Sequence, residues 1–288
     1  MPIGGPFSFG GLILSRAPDI SVVADAIRAV SRAEALSRFQ GLAAHEISEK
    51  SPGDLVTIAD LETERALERV LGGLLPGSVM VGEEAVAEKP ALLEALQTGK
   101  TPCWIIDPID GTINYAHGVP LFATMVALVD GGEVVAGWIY DPVHDLMAMA
   151  EKGGGAYLDG RRVELGPEPE LARLSGCLHL GGYDKDLTAT AARNFDKVGP
   201  LFVLHTAGLE YQQMLNGRLH YALYLRTNPW DHAPGQLLLT EAGGHTARLD
   251  GSAYDINVTM HSSPMIAAVG EGAWWNLREQ LFGMKNDI

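Results

Sequence analysis

Apolar residues recur along this chain with two different periods, and the change from one period to the other lays out most of its elements. Val23, Ile27, Val30 and Ala33 fall at helical spacing within 21–39, and Leu67, Val70, Leu71 and Leu74 do so in a segment running from about Thr57 to Leu75. Asp60 and Glu62 stand in the first turn of that second segment, where acids suit the helix dipole. A polar turn, Glu49-Lys50-Ser51-Pro52-Gly53-Asp54, separates the two helices. Val79-Met80-Val81 predicts a short strand running into Gly82-Glu83-Glu84, followed by a helix over 91–96. Cys103-Trp104-Ile105-Ile106 is a short apolar run ending in a turn, the pattern of a buried strand. Two further β-rich runs, 122–129 and 133–140, flank Asp130-Gly131-Gly132, a hairpin signal, and the turn at Leu158-Asp159-Gly160 continues the antiparallel character.

The second half alternates strand and helix. Strands are expected over 178–180, 201–204, 221–225 and 265–269, with helices over 208–215, 231–242 and 272–282, an αβα pattern. Gly166-Pro167-Glu168-Pro169 marks a soft boundary. It divides the chain into an N-terminal extension (1–19), an α+β half with an antiparallel sheet (20–167) and an α/β half (168–288). The first 14 residues are Gly-rich and apolar, without the basic start or small-residue cleavage site of a secretion signal, and either pack on the domain or stay disordered.

Charge narrows the partners. Twenty-one Lys+Arg against 36 Asp+Glu give a formal net charge of −15, which argues against a nucleic-acid footprint and against adsorption on anionic membranes. No stretch approaches the ~20 apolar residues that span a bilayer. A phosphorylated substrate stays open, because bound cations can invert the local field. Two cysteines, Cys103 and Cys177, make no disulfide framework, so reduced thiols and a cytoplasmic location are expected.

The candidate chemistry is acidic. Asp107-Pro108-Ile109-Asp110-Gly111-Thr112 follows the buried strand, with two carboxylates and the Ile109 carbonyl on a turn stiffened by proline. Such an all-oxygen set suits Mg²⁺, and the Gly111 and Thr112 N–H groups would cradle an anion if a helix starts there. The same sequence also makes an ordinary turn. Glu83-Glu84 at a strand end is either a solvated loop or a contributor to a site shared between strand ends. Asp231, in Pro229-Trp230-Asp231-His232, is a helix cap or first residue ahead of Gly243-Gly244, and beside metals it could also coordinate. Asp54 reads as a turn residue; Asp60 is less easily a cap, since Thr57 or Asp54 can serve. His232 reads as capping or solvent-exposed, and Trp274-Trp275 as core or subunit contact. Neither a serine elbow nor a phosphate loop is present.

In order, these segments resemble the inositol monophosphatase family of Mg²⁺-dependent, lithium-sensitive phosphatases. The matching pieces are Asp54-Leu55-Val56-Thr57 with Asp60, Gly82-Glu83-Glu84, the run from Trp104 to Tyr115, and Trp230-Asp231 with Glu241-Ala242-Gly243-Gly244. The resemblance spans roughly 20–270 and implies an αβαβα layered sandwich, commonly a homodimer. It implies one Mg²⁺ held by Glu83, Asp107 and the Ile109 carbonyl, a second by Asp107, Asp110 and Asp231, and a weaker third near Glu83. It gives Asp60, Thr112 and Glu83 the activation of water, and the Gly111 and Thr112 amides the phosphate. The expected reaction is direct in-line attack by that water without a phosphoenzyme, with paired metals about 3.5–4 Å apart stabilising both oxygens.

The match thins on the substrate side. Inositol-specific members carry a glutamate before the Trp-Asp pair, and counting back puts Tyr224 there. Arg226 is either a contact for a second anionic group or a solvated loop arginine. Thr206-Ala207 resembles the substrate-side turn, with His205 where glycine is common. Ile113-Asn114-Tyr115 follows the inositol branch rather than the nucleotide-bisphosphate branch, which tends to carry lysine there. The expectation is therefore a phosphomonoesterase acting on a small phosphorylated polyol or sugar, with inositol 1-phosphate leading. Fructose-1,6-bisphosphatase, histidinol-phosphatase and nucleotide-bisphosphate phosphatase are the enzyme alternatives, and a regulatory protein retaining the fold is the alternative class.

Overall fold

Residues 17–179, 185–256 and 264–285 are described by the computed structural model. Positions 1–16 of the expected extension, and position 180 of an expected strand, lie outside them.

In chain order the helices are α1 (Ile20–Glu34), α2 (Ile58–Leu74), α3 (Glu83–Glu88), α4 (Glu94–Thr98), α5 (Thr112–Ala116), α6 (Lys185–Ala192), α7 (Ala207–Leu215), α8 (Pro229–Glu241) and α9 (Glu271–Phe282). The strands are β1 (Ile47–Ser51), β2 (Asp54–Thr57), β3 (Val79–Gly82), β4 (Cys103–Asp110), β5 (Ala123–Asp130), β6 (Glu133–Asp141) and β7 (Leu146–Glu151). They continue with β8 (Gly155–Leu158), β9 (Arg161–Val163), β10 (Gly176–Leu178), β11 (Leu201–Phe202), β12 (Tyr221–Tyr224), β13 (His245–Arg248) and β14 (Met265–Ala268).

β3 to β9 form a seven-stranded sheet in sequence order, antiparallel except for the β3–β4 pair. β11-β10-β12-β14-β13 form a mixed five-stranded sheet. Helices α1 and α2 cover one face of the larger sheet, α7 and α8 fill the space between the sheets, and α9 with α6 covers the far side. This is the αβαβα layered sandwich.

Alternation along β4 explains why its apolar run is continuous. Trp104 and Ile106 pack outward against Val23, Ile27, Leu67 and Leu71 of α1 and α2, while Cys103 and Ile105 pack inward beside Trp230 and Ala233 of α8. Close approach fixes α8 in the middle layer. A Cβ on Gly137 of β6 would stand 2.9 Å from the Pro234 Cα, so glycine is what lets the helix backbone lie on the sheet.

Several expectations are corrected. Ala33 and Val70, grouped by helical spacing with the apolar face, are exposed, because each helix packs on one narrow side. β4 runs on through the acidic turn to Asp110. The strand expected at 178–180 begins at Gly176. α8 starts at Pro229, which takes the first helical position, so Asp231 lies inside the first turn and Asn228 precedes the helix. The polar turn at 49–54 is the tip of the β1–β2 hairpin. α3, α6 and β13 went unread, being short, polar or without a clear period, and the helix start raised at Gly111–Thr112 is α5.

Candidate active site

Asp107 and Asp110 are three residues apart, so in an unbroken strand they would face opposite sides of the sheet. A register shift prevents that: Asp107 pairs with Met125 but Asp110 with Ala123, so β4 carries one residue more than its partner. Such a bulge re-aims side chains, and both carboxylates turn to the same point. The bulge is pinned from behind, where Ser31 Oγ donates to Thr124 Oγ1 (2.9 Å), which donates to the Pro108 carbonyl (2.9 Å).

Asp110 is held by the start of α7. Thr206 Oγ1 and the Gly208 N–H each donate to Oδ2 at 2.6 Å, and the Ala207 N–H donates to Oδ1 at 3.2 Å. Burial pushes its carboxyl up to about 6 despite the Thr206 and Gly208 bonds. Gly111 follows with φ 96°, and a Cβ there would meet the Leu121 carbonyl at 3.0 Å, so the turn needs glycine on both counts. Asp231 comes from the first turn of α8, where Asn228 Nδ2 donates to its Oδ2 at 3.0 Å.

Carboxylate oxygens of Asp107, Asp110 and Asp231 lie within 4.8 Å of one another. Asp107 is 1 % exposed and its Oδ1 has no hydrogen-bond partner. Burial, then the charges of Glu83, Asp110 and Asp231, push Asp107 well above the usual carboxylate range. Burial, then Glu83 and Asp110, do the same to Asp231. Crowded, buried acids with an orphan oxygen are what a hard divalent cation would satisfy. The residues fit such an ion.

Glu83 reaches the site because β3 runs parallel to β4 with Gly82 beside Ile106, so the residue after β3 comes level with Asp107. It does not join the three-carboxylate group; its Oε1 lies 2.7 Å from Lys50 Nζ, which also contacts Glu84 Oε1 at 2.9 Å. Burial alone would lower the Lys50 ammonium, but the two glutamates more than offset it and raise its pKa. Glu64 of α2 supports this corner from below. Its carboxylate accepts the Glu84 and Ala85 N–H groups at 2.9 and 2.8 Å, capping α3 where Gly82 has no side chain to do so.

Asp60 works twice. The Thr57 N–H and Oγ1 donate to its Oδ2 at 2.8 and 2.5 Å, so it is the capping-box partner of Thr57 after all. Its Oδ1 lies 3.1 Å from Thr112 Oγ1, which is also 3.0 Å from the Ile109 carbonyl. Burial lifts Asp60 to about 7, opposed by the Thr57 bond.

These groups open into a cleft of about 750 Å³. Glu83, Asp110, Gly111, Thr112, Thr206, Ala207, Tyr224, Arg226 and Asp231 all line it. Asp60, Asp107 and Ile109 sit buried beneath. His232, expected at a cap or in solvent, is instead buried: its Nε2 lies 2.9 Å from the Arg226 carbonyl and its Nδ1 3.3 Å from Tyr211 Oη. Asp54 lies at the hairpin, 3.7 Å from Lys50. Both cysteines are free and buried. Lys50, Glu64, His179 and Glu210 escaped sequence reasoning; only Lys50, the basic residue next to the Ser51-Pro52-Gly53-Asp54 turn, offered a local signal.

A layered sandwich with an acidic, cation-fitting cleft at the strand ends defines a phosphoric monoester hydrolase of the metal-dependent kind. The chain belongs to the inositol monophosphatase family, whose sequence profile matches residues 17–283. It is 34 % identical over 210 residues to inositol-1-monophosphatase of Mesorhizobium japonicum, covering 72 % of this chain and 76 % of the relative. It is 34 % identical over 206 residues to fructose-1,6-bisphosphatase/inositol-1-monophosphatase of Thermotoga maritima, covering 70 % and 75 %. Extragenic suppressor protein SuhB of Bartonella henselae superposes with a TM-score of 0.77 at 28 % identity, over 93 % of this chain and 98 % of that one. No helix among the described residues is long and apolar enough to cross a membrane.

Proposed function

We propose that this protein is a Mg²⁺-dependent phosphomonoesterase for a small phosphorylated polyol or sugar, with inositol 1-phosphate the first candidate. The observation that carries the reading is the convergence of Asp107, Asp110 and Asp231 on one point, with a buried orphan oxygen, next to Thr112. Asp107, Asp110 and Asp231 would hold one ion; Glu83, Asp107 and the Ile109 carbonyl a second; a third would bind near Glu83. Bound Mg²⁺ supplies charge neutralisation for the phosphoryl group and a more acidic water.

The chain's own groups do the rest. Thr112 Oγ1, between Asp60 and the Ile109 carbonyl, orients the attacking water. Asp60, with a carboxyl near 7, takes up its proton by way of Thr112, a match to neutral operating pH. Gly111 and Thr112 place the phosphate, and Thr206 and Ala207 complete its side of the cleft. Tyr224 and Arg226 face the rest of the substrate. The reading extends to inhibition by Li⁺, a homodimer, a cytoplasmic setting consistent with two free thiols, and two halves meeting near Glu168.

Fructose 1,6-bisphosphate is the second reading, favoured by Arg226 in the cleft and Tyr224 in place of an acid. Phosphate release from inositol, sugar, histidinol and nucleotide phosphates, with Mg²⁺ or with a chelator, tests the proposal. Mg²⁺-dependent release from a polyol or sugar ester is expected; no release from any of them overturns it.

A further inference from the structure

The bulge that aims Asp107 and Asp110 is held by a helix that contributes no side chain to the cleft. Thr124 stands opposite Pro108 and Ile109, since Asp107 pairs with Met125 and Asp110 with Ala123. A bulge disrupts the ladder locally, and a buried carbonyl left without a donor is costly. The Thr124 hydroxyl gives the Pro108 carbonyl a donor at 2.9 Å, and Ser31 Oγ of α1 lies 2.9 Å behind Thr124 Oγ1. The direction of this relay is fixed. A carbonyl only accepts, so the single Thr124 proton goes to Pro108 and Ser31 must donate to Thr124. Ser31 and Thr124 are 0 % and 1 % exposed, so bulk water does not substitute for either link. The end of α1 also holds the far end of the motif, where Tyr115 Oη donates to the Ala35 carbonyl at 2.7 Å. Ile109 and Tyr115 share one small apolar cluster with Ala35, Ala59 and Phe122. The acidic turn is thus tied to α1 at both Pro108 and Tyr115.

We propose that Ser31 and Thr124 are positioning residues for the cation site: by fixing the Pro108 carbonyl they set how tightly the cleft binds a divalent ion and how strongly it prefers Mg²⁺ to Ca²⁺. The proposal rests on the metal-dependent reading and adds to it two residues that touch neither ion nor substrate. The preference follows from coordination chemistry. Mg²⁺ demands near-octahedral geometry with oxygens at about 2.0–2.1 Å, whereas Ca²⁺ accepts about six to eight oxygens at about 2.3–2.6 Å in flexible arrangements. Asp107, Ile109 and Asp110 flank Pro108 in β4. Rotation of the Pro108 peptide therefore disturbs two carboxylates and the Ile109 carbonyl together. A slackened bulge costs Mg²⁺ more than Ca²⁺. Groups that orient metal ligands from behind change affinity by about 10- to 100-fold when they are lost.

The test uses the full-length protein without substrate and titrates Mg²⁺ and, separately, Ca²⁺, reading each Kd from the rise in Tm. The parent is compared with T124V, T124S and S31A. Valine keeps the shape of threonine and deletes the relay, while serine keeps the hydroxyl. In T124V the Kd for Mg²⁺ should rise by about tenfold and that for Ca²⁺ by less, so the preference for Mg²⁺ shrinks. T124S should stay close to the parent for both ions. S31A leaves the Pro108 bond in place and should raise the Kd for Mg²⁺ by about threefold, within the worth of one hydrogen bond. A merely structural role would lower the ion-free Tm of T124V and leave the ratio of the two Kd values untouched. An unchanged Mg²⁺ affinity in T124V, an equal loss for both ions, or an equal loss in T124S overturns the inference, while ion binding by the parent leaves the metal-dependent reading standing. If T124V does not fold, S31A decides alone, and an unchanged Kd for Mg²⁺ there overturns the inference. A parent that binds neither ion removes both.

Discussion

The two walls of the cleft are built on opposite plans. On the acidic side, Asp107 to Thr112 form one unbroken stretch, wholly buried as far as Asp110, aimed by a bulge and locked by the first turn of α7. On the facing side, His179, His205, Tyr224 and Arg226 arrive from separate segments of the five-stranded half and its loops. Only packing brings them together: His179 on Tyr224, Tyr224 on Tyr211, and Glu210 beneath. The difference teaches that the chemistry here is a local property of backbone geometry, while selection is a property of the tertiary fold. A change on the acidic side should therefore abolish turnover for every substrate, and a change on the facing side should alter which substrate is preferred.

The sharpest break is D110N. Asparagine keeps only one acceptor oxygen, so its NH₂ must face either the Ala207 N–H or the Thr206 Oγ1 and Gly208 N–H, all of which donate, and it removes one charge from the three-carboxylate group. Phosphate release should fall by about a thousandfold or more, equally for all esters. Full activity in D110N would sink the proposed mechanism. K50Q comes next. It leaves Glu83 and Glu84 without their cation, and in chelator the protein should lose about 2–3 kcal/mol, somewhat less than a fully buried broken pair because the cleft is open to water. Mg²⁺ should restore most of that loss, since an ion at Glu83 replaces the missing charge. A denaturant midpoint equally lowered with and without Mg²⁺ would place Lys50 outside the site. G235A probes the facing side through packing. A Cβ there would lie 2.1 Å from Tyr211 Cδ2, forcing the ring that supports Tyr224. Overpacking of this kind costs about 1–3 kcal/mol, read as a lowered Tm, together with a changed ratio of kcat/KM between substrates.

The same division decides what could be read from the chain alone. The capping Thr57, the length of α2, and the β5–β6 hairpin obey local rules and were legible. Asp107, Asp110 and Asp231 were legible only as a set: each alone also reads as a turn or cap residue, and it was the order of the distant segments that joined them, as their convergence in the fold does. Glu64 was invisible: on α2 it looks like an ordinary helical glutamate, and only the fold places its carboxylate under Glu84 and Ala85. His179 and Glu210, 31 positions apart, are paired by the parallel neighbours β10 and β12 and the helix α7 packed on them. His232 was misread for the same reason, since its partners Tyr211 and the Arg226 carbonyl come from elements that no local pattern joins to it.

Glu64 also gives the subtlest test, because it belongs to the acidic side yet takes no part in the cleft. Burial, opposed by the Glu84 and Ala85 N–H bonds, holds its carboxyl at about 7 against an ordinary 4.5. A carboxyl raised on folding binds its proton more tightly in the native state, so its contribution is fully present below about pH 4.5 and is lost as pH rises through 7. Asp60 at about 7, Glu84 at about 8 and Asp110 at about 6 act in the same direction. In chelator, stability should thus decline between pH 5 and 8. E64Q removes one of these groups and should flatten that decline by an amount on the order of 1 kcal/mol. The slope is the readout rather than the absolute value, because the NH₂ of E64Q must face one of the two N–H donors and lowers stability at every pH. Urea midpoints at pH 5 and pH 8 measure it. An undiminished slope in E64Q would mean that the metal-ligand side alone carries the pH response, and that the α3 cap is electrostatically independent of the cleft it supports.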